Sequence, residues 1–172
     1  MPRCRECAGR RLGFSSARAA VEYDDAVRRI VGGWKERGLR GIAQQAAGLV
    51  ADVVPRPAVE ALTFVPPDGD RSLRRGHHPA ARLALELGRR WQVPAVALLA
   101  RAGAAQRQRG LSLAERRRNV RGAFRATGAA PRSVCLVDDV YTSGATAGAA
   151  AQALRRAGAT RVEVVCFARA VR

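Results

Sequence analysis

One stretch gathers the residue types that a reactive site needs. Val134-Cys135-Leu136-Val137 is an apolar run that ends in two adjacent carboxylates, Asp138 and Asp139, and leads through Val140 and Tyr141 into Thr142-Ser143-Gly144-Ala145-Thr146. Consecutive backbone N–H groups in a tight turn at the start of a helix form a cradle for an anion, and a glycine lets the backbone approach it closely. The hydroxyls of Thr142, Ser143 and Thr146 add donors, so the pattern predicts a phosphate site. Two acids beside a phosphate would repel it. They must therefore face something else: ribose hydroxyls, a divalent metal, or both. A P-loop is excluded, because it requires G-x4-G-K-S/T and this stretch has no lysine. An ordinary strand-turn-helix with a capping threonine would account for a hydroxyl and a glycine, but not for two carboxylates at a strand end.

The cysteines point elsewhere. Cys4-Arg-Glu-Cys7 has the spacing of half a zinc ribbon, but a closed structural zinc site takes four ligands and the second pair is absent. Zinc is not expected in this chain. Cys135 and Cys166 each lie inside an apolar run and read as small core residues. Charge is the other unusual feature: 31 Lys+Arg against 14 Asp+Glu leaves +17, and Lys35 is the only lysine. Such a surface attracts phosphates and polyanions, and arginine presents planar donors suited to phosphate oxygens. An Ala- and Arg-rich, Lys-poor composition is also what a GC-rich genome produces, so charge alone does not identify a nucleic-acid partner.

The elements that would position the loop follow from periodicity. Asp24-Asp25 precede Ala26, Val27, Ile30, Val31 and Trp34 at helical intervals, closed by Gly38, and 41–54 reads as a second helix. Ala61 to Val65 reads as a buried strand stopped by Pro66-Pro67. A helix over 79–91, a strand over 94–100, a polar segment over 101–122, a strand over 133–137, a helix over 146–157 and a strand over 161–168 complete the chain. Residues 1–20 show no clear period and read as a leader. Strands alternating with helices imply a parallel α/β sheet with helices on both faces, and such sheets bind ligands beyond their C-terminal strand ends.

At 172 residues, 48% apolar and 26% charged, the chain has room for one domain with a real core, which excludes a disordered or fibrous protein. No apolar run approaches the ~20 residues that span a bilayer. The basic N-terminus is not followed by an apolar stretch of secretory type, so the expected location is the cytoplasm, without membrane insertion.

The stretch 134–146 resembles the phosphoribosyl-diphosphate (PRPP) loop of type I phosphoribosyltransferases: four apolar residues, two acids, two variable residues, then T-S/T-G-x-T. The rest of the chain resembles, more narrowly, the ComF family of competence-associated phosphoribosyltransferase-like proteins. Tyr23 to Gly38 is similar to its Y…I…K-x-x-G helix, and Val65-Pro66 followed by Arg75-Gly76-His77 to its P-V-P…R-G segment. Gln108, Leu111 to Val120 and Gly122-Ala123-Phe124 resemble its Q…L-S-x-x-E-R-x-x-N-x-x-G-A-F block. The resemblance covers 21–172. It implies a leader over 1–20 and a phosphoribosyltransferase-like domain over 21–172. The implied fold is α/β: a mainly parallel twisted sheet flanked by helices, with a mobile arginine-rich flap.

Carried over by position, the resemblance makes Asp138 and Asp139 catalytic, binding the ribose hydroxyls and Mg²⁺. Thr142, Ser143, Gly144, Ala145 and Thr146 would hold the 5′-phosphate. Val65, Pro66 and Pro67 would form the pyrophosphate turn, with Arg74 and Arg75 supplying cations to the leaving group. The flap would span 101–125, including Arg101, Gln108, Arg116 and Asn119; it carries eight arginines and the single acid Glu115. A lid of this kind excludes water while cations stabilise the departing diphosphate. The same segment also reads as a solvated charged helix, or as a contact for nucleic-acid phosphates.

This chain departs from the family at V-P-P in place of P-V-P, and at His77-His78-Pro79, where both histidines read as surface or capping residues. Members that act on 6-oxopurines carry a carboxylate at the position of Thr142, so hypoxanthine and guanine fit poorly as acceptors. Family members commonly begin with a four-cysteine ribbon, and Cys4-x2-Cys7 resembles its second half. Either the ribbon is lost, or its first half lies upstream of Met1. The expected activity is Mg²⁺-dependent phosphoribosyl transfer to an unidentified acceptor, linked to DNA uptake. The competing reading is a non-catalytic accessory factor that binds single-stranded DNA and uses the loop as a ligand sensor. With 5% aromatic residues, base-stacking platforms are scarce. A second copy of the chain is a further candidate partner.

Overall fold

In the computed structural model, which describes residues 12–37, 41–67, 78–102 and 122–170, ten elements follow one another. They are β1 (Ser16–Glu22), α1 (Asp25–Arg37), α2 (Gly41–Val53), β2 (Ala61–Phe64), α3 (Pro79–Trp91), β3 (Leu99–Arg101), β4 (Phe124–Ala126), β5 (Ser133–Tyr141), α4 (Ala145–Arg156) and β6 (Arg161–Arg169). The main sheet has the order β1-β6-β5-β2, and every pairing in it is parallel. A parallel strand is covered on both faces, which is why β5 and β6 read as almost unbroken apolar runs.

Alternation along β5 divides the core into two layers. Val137 packs with Val31 and Trp34 of α1, Ala46 and Val50 of α2 and Leu83 and Leu87 of α3. Leu136, one residue earlier, packs on the other face with Leu154 of α4, Leu99 of β3 and Phe124 of β4. This is the α/β class expected, a parallel sheet flanked by helices. Cys135 and Cys166 are buried free thiols, as their surroundings predict. Among the described residues no helix is long and apolar enough to cross a membrane.

Three features differ from the expectation. β1 pairs with β6 from Ser16↔Glu163 to Glu22↔Arg169, so the expected boundary at residues 20 and 21 falls inside a strand of the sheet. Its signal is weak because SARAAVE is an edge strand of small and charged residues, half-buried almost throughout. The strand expected over 94–100 is divided: Ala95 bridges Leu62, and the chain then leaves the main sheet to form β3, antiparallel to β4. Thr63 drives that departure by accepting the Leu98 N–H on its hydroxyl at 3.2 Å. β4 lies in the segment read as polar, where Phe124 alone points inward. Of the expected flap, 103–121 lies outside the described residues; Leu99–Arg101 and Phe124–Ala126 on either side of it are paired.

Candidate functional site

Parallel pairing brings the C-terminal ends of β2 and β5 to one edge, and the predicted site residues that are described collect there. The Val65 N–H donates to the Val137 carbonyl at 3.1 Å, which sets Val65-Pro66-Pro67 beside Asp138. Val65 and Pro66 are buried, so this turn is packed into the fold. Arg101 reaches the same turn, donating from Nε to the Pro67 carbonyl at 3.1 Å, while its guanidinium lies 4.9 Å from the Phe124 ring centroid. One of the flap residues is therefore a wall of the site. Gln108, Arg116 and Asn119, and the cations Arg74 and Arg75, lie outside the described residues, as does His77.

The two acids are adjacent in sequence but do not act as one group. Asp139, 8% exposed, faces the α1 side, where Lys35 Nζ meets its Oδ1 at 2.8 Å. Asp138 accepts the backbone N–H of Asp139 on Oδ1 at 2.9 Å. Burial first, and the Asp139 charge second, push the Asp138 carboxyl up to about 8; Lys35, the Asp139 N–H and Arg101 act against that shift. A carboxyl driven far from its ordinary range in a strand-end cleft is what a ligand-binding group looks like.

Beyond the acids the chain turns over a tyrosine. Gly144 adopts φ +69°, and a Cβ there would run into the Tyr141 phenol, so glycine is required twice over. Tyr141 is 5% exposed and is held edge-on by Phe14, with centroids 6.3 Å apart, and by Arg169, whose guanidinium lies 5.6 Å from the ring. Gly144 is the N-cap of α4 and supplies no side-chain cap, and the first turn carries no acid. Ser143 Oγ accepts from the Ala145 N–H at 3.4 Å, Thr142 is exposed and Thr146 half-buried. The result is an open, positively polarised helix start lined by hydroxyls, suited to a phosphate.

Sequence reasoning missed two residues of this site. Lys35 stands in the helix likened to the family's K-x-x-G pattern with no site role attached to it, although its being the only lysine sets it apart. Tyr141 stood at a variable position of the motif, and only the fold shows it under Gly144. His78 is the capping residue expected: its Nδ1 accepts the Ala81 N–H at 2.9 Å at the start of α3.

The donor set can be tested against Mg²⁺. A small, hard cation seeks several oxygens in octahedral array. Here one carboxylate oxygen already holds an ammonium at 2.8 Å, and among the described residues no group of three or more His, Cys, Asp or Glu side chains converges. The pair in this arrangement does not fit a resident Mg²⁺.

No family model matches the chain. Competence protein F of Haemophilus influenzae is 35% identical over 116 residues, covering 64% of this chain and 51% of that protein. DNA utilization protein YhgH of Escherichia coli is 38% identical over 104 residues, covering 58% of this chain and 44% of that protein. The chain thus spans about half the length of the curated relatives it matches. Among solved structures, a glutamine PRPP amidotransferase from B. subtilis complexed with ADP and GMP is similar at 25% identity and TM-score 0.48, over 72% of this chain and 26% of that one. An allosteric regulatory enzyme of purine biosynthesis is similar at 22% identity and TM-score 0.49, over 74% and 25%.

Proposed function

We propose that the chain is a ComF-family protein over the stretch it shares with these relatives, and that it binds PRPP at the C-terminal edge of its sheet and transfers the phosphoribosyl group to an acceptor. The observation that carries this reading is the hydroxyl-lined helix start at Gly144, whose N-cap supplies no side chain, set directly after a strand-end acid pair and across from the Val65–Pro67 turn. The 5′-phosphate takes the N–H groups and hydroxyls of 142–146. Asp138 and Asp139 accept hydrogen bonds from the ribose hydroxyls. The diphosphate lies against Val65-Pro66-Pro67, where Arg101 offsets its charge. In the reaction a bond forms between the acceptor and the anomeric carbon as the bond to diphosphate breaks, and the leaving group keeps the electron pair. The names of the relatives, Competence protein F and DNA utilization protein YhgH, support linking the proposed activity to competence and DNA use.

Calorimetry with PRPP, with and without Mg²⁺, tests the reading on the wild type and on Asp138→Asn/Asp139→Asn. The Asp138 carboxyl, raised to about 8, is neutral at pH 7 and its hydrogen bond is worth ~0.5–1.5 kcal/mol, against ~1.5–3 kcal/mol for a charge-assisted one at Asp139, so affinity should fall roughly thirtyfold or more in the double variant. No binding by the wild type overturns the proposal. The +17 charge then favours the second reading, an accessory factor on single-stranded DNA, whose affinity would fall linearly with log salt.

A further inference from the structure

The only lysine of an arginine-rich chain is paired with the inner acid of the site. Its position is built by packing. Trp34, the residue before it, is 1% exposed and meets Phe167 edge-on with centroids 6.2 Å apart, and Val31, one turn earlier, is also buried. These contacts fix the last turns of α1 against the sheet and deliver Lys35 to Asp139, whose side chain is 12% exposed against 34% for the lysine. Arginine would be the common choice for an ion pair in this chain, and a flexible point charge stands there instead.

An ammonium hydrogen-bonded to a carboxylate oxygen at 2.8 Å and a divalent cation coordinated to that same oxygen at about 2.0–2.1 Å exclude one another, by space and by charge. Adjacent carboxylates, Asp139 buried and Asp138 half-buried, would otherwise attract such an ion. We infer that Lys35 is the resident counter-ion of Asp139, and that its ammonium keeps divalent cations off the carboxylate pair in the ligand-free protein. Any metal the site uses then arrives on the oxygens of its ligand. The inference deepens the PRPP reading and rests on it for the last step alone. Among the described residues, the cations facing the pair are Lys35 from α1 and Arg101 from β3, beside the two carboxylates themselves.

Mn²⁺, used alone as a spectroscopic substitute for Mg²⁺, tests this by paramagnetic resonance titration of free ion without PRPP. Wild-type protein should bind Mn²⁺ weakly, and Lys35→Met should bind it roughly tenfold tighter or more, as expected for removing one adjacent positive charge. Lys35→Gln, which keeps an amide donor toward Asp139, should show the same gain and stands in if the methionine variant fails to fold. Lys35→Arg should stay at the wild-type level, and Lys35→Met/Asp139→Asn should lose the gain. Neutral variants that bind Mn²⁺ no tighter than wild type overturn the inference, as does tight binding by the wild type. A wild type that binds no PRPP overturns the proposed function and leaves this comparison readable.

Discussion

Two acids on neighbouring strands of one sheet, Glu163 buried and Asp138 half-buried, have opposite surroundings. Glu163 on β6, 3% exposed, is met by Arg18 at 3.2 Å, by Arg161, and by the Ser16 hydroxyl at 3.3 Å. Asp138 on β5 accepts a hydrogen bond from the backbone N–H of its neighbour and faces a second carboxylate. Both lie in the same parallel ladder, Glu163 opposite Cys135 and Asp138 opposite Cys166. Toward the N-terminal ends of these strands the fold closes cations around a buried charge. Toward the C-terminal ends the Lys35 ammonium goes to Asp139, and the Asp138 carboxyl beside it keeps bonding capacity for a ligand at a cost in stability.

The largest effects should come from closing the open end. Gly144→Ala places a methyl in the Tyr141 phenol and forces a left-handed backbone on alanine. The backbone strain costs ~1–3 kcal/mol and overpacking a similar amount, so urea unfolding should show a loss of about 2–6 kcal/mol together with loss of PRPP binding. Ligand binding lost with full stability retained would show that Tyr141 simply moves aside.

The next effect separates function from stability. Because burial and Asp139 raise the Asp138 carboxyl to about 8, the folded state holds its proton where the unfolded chain has released it. Stability from this group is complete below the ordinary carboxylate range and declines as pH rises through it toward about 8. Asp138→Asn should therefore melt higher than wild type at pH 8 and nearly equal at pH 4, while binding PRPP less well. A variant that melts lower at both pH values would make Asp138 a structural acid like Glu163.

The site was legible where its chemistry is contiguous. Val134 to Thr146 carries strand, acids and anion loop in one run, and the helix over 79–91 has unambiguous caps and period. What stayed hidden depends on contacts between distant elements. Lys35 reaches Asp139 only because Trp34 seats α1 on the sheet, and Tyr141 supports Gly144 only because Phe14 and Arg169 hold its ring. β1 was missed for a different reason: an edge strand half-buried on both faces needs no alternation, so SARAAVE has no period to detect.

The smallest effect belongs to the closed region and sharpens the contrast. Arg18→Ala removes one cation from Glu163 and leaves Arg161 and the Ser16 hydroxyl in place. Breaking a fully buried pair costs ~3–5 kcal/mol, but the Arg18 side chain is 39% exposed and its attraction is screened, so about 1–2 kcal/mol is expected by urea unfolding. PRPP affinity should not change, because β1 contributes to the sheet away from the ligand edge at this register. A fall in affinity with unchanged stability would mean that the two acids share one electrostatic system along β5 and β6, and the division between a structural and a functional carboxylate would no longer hold.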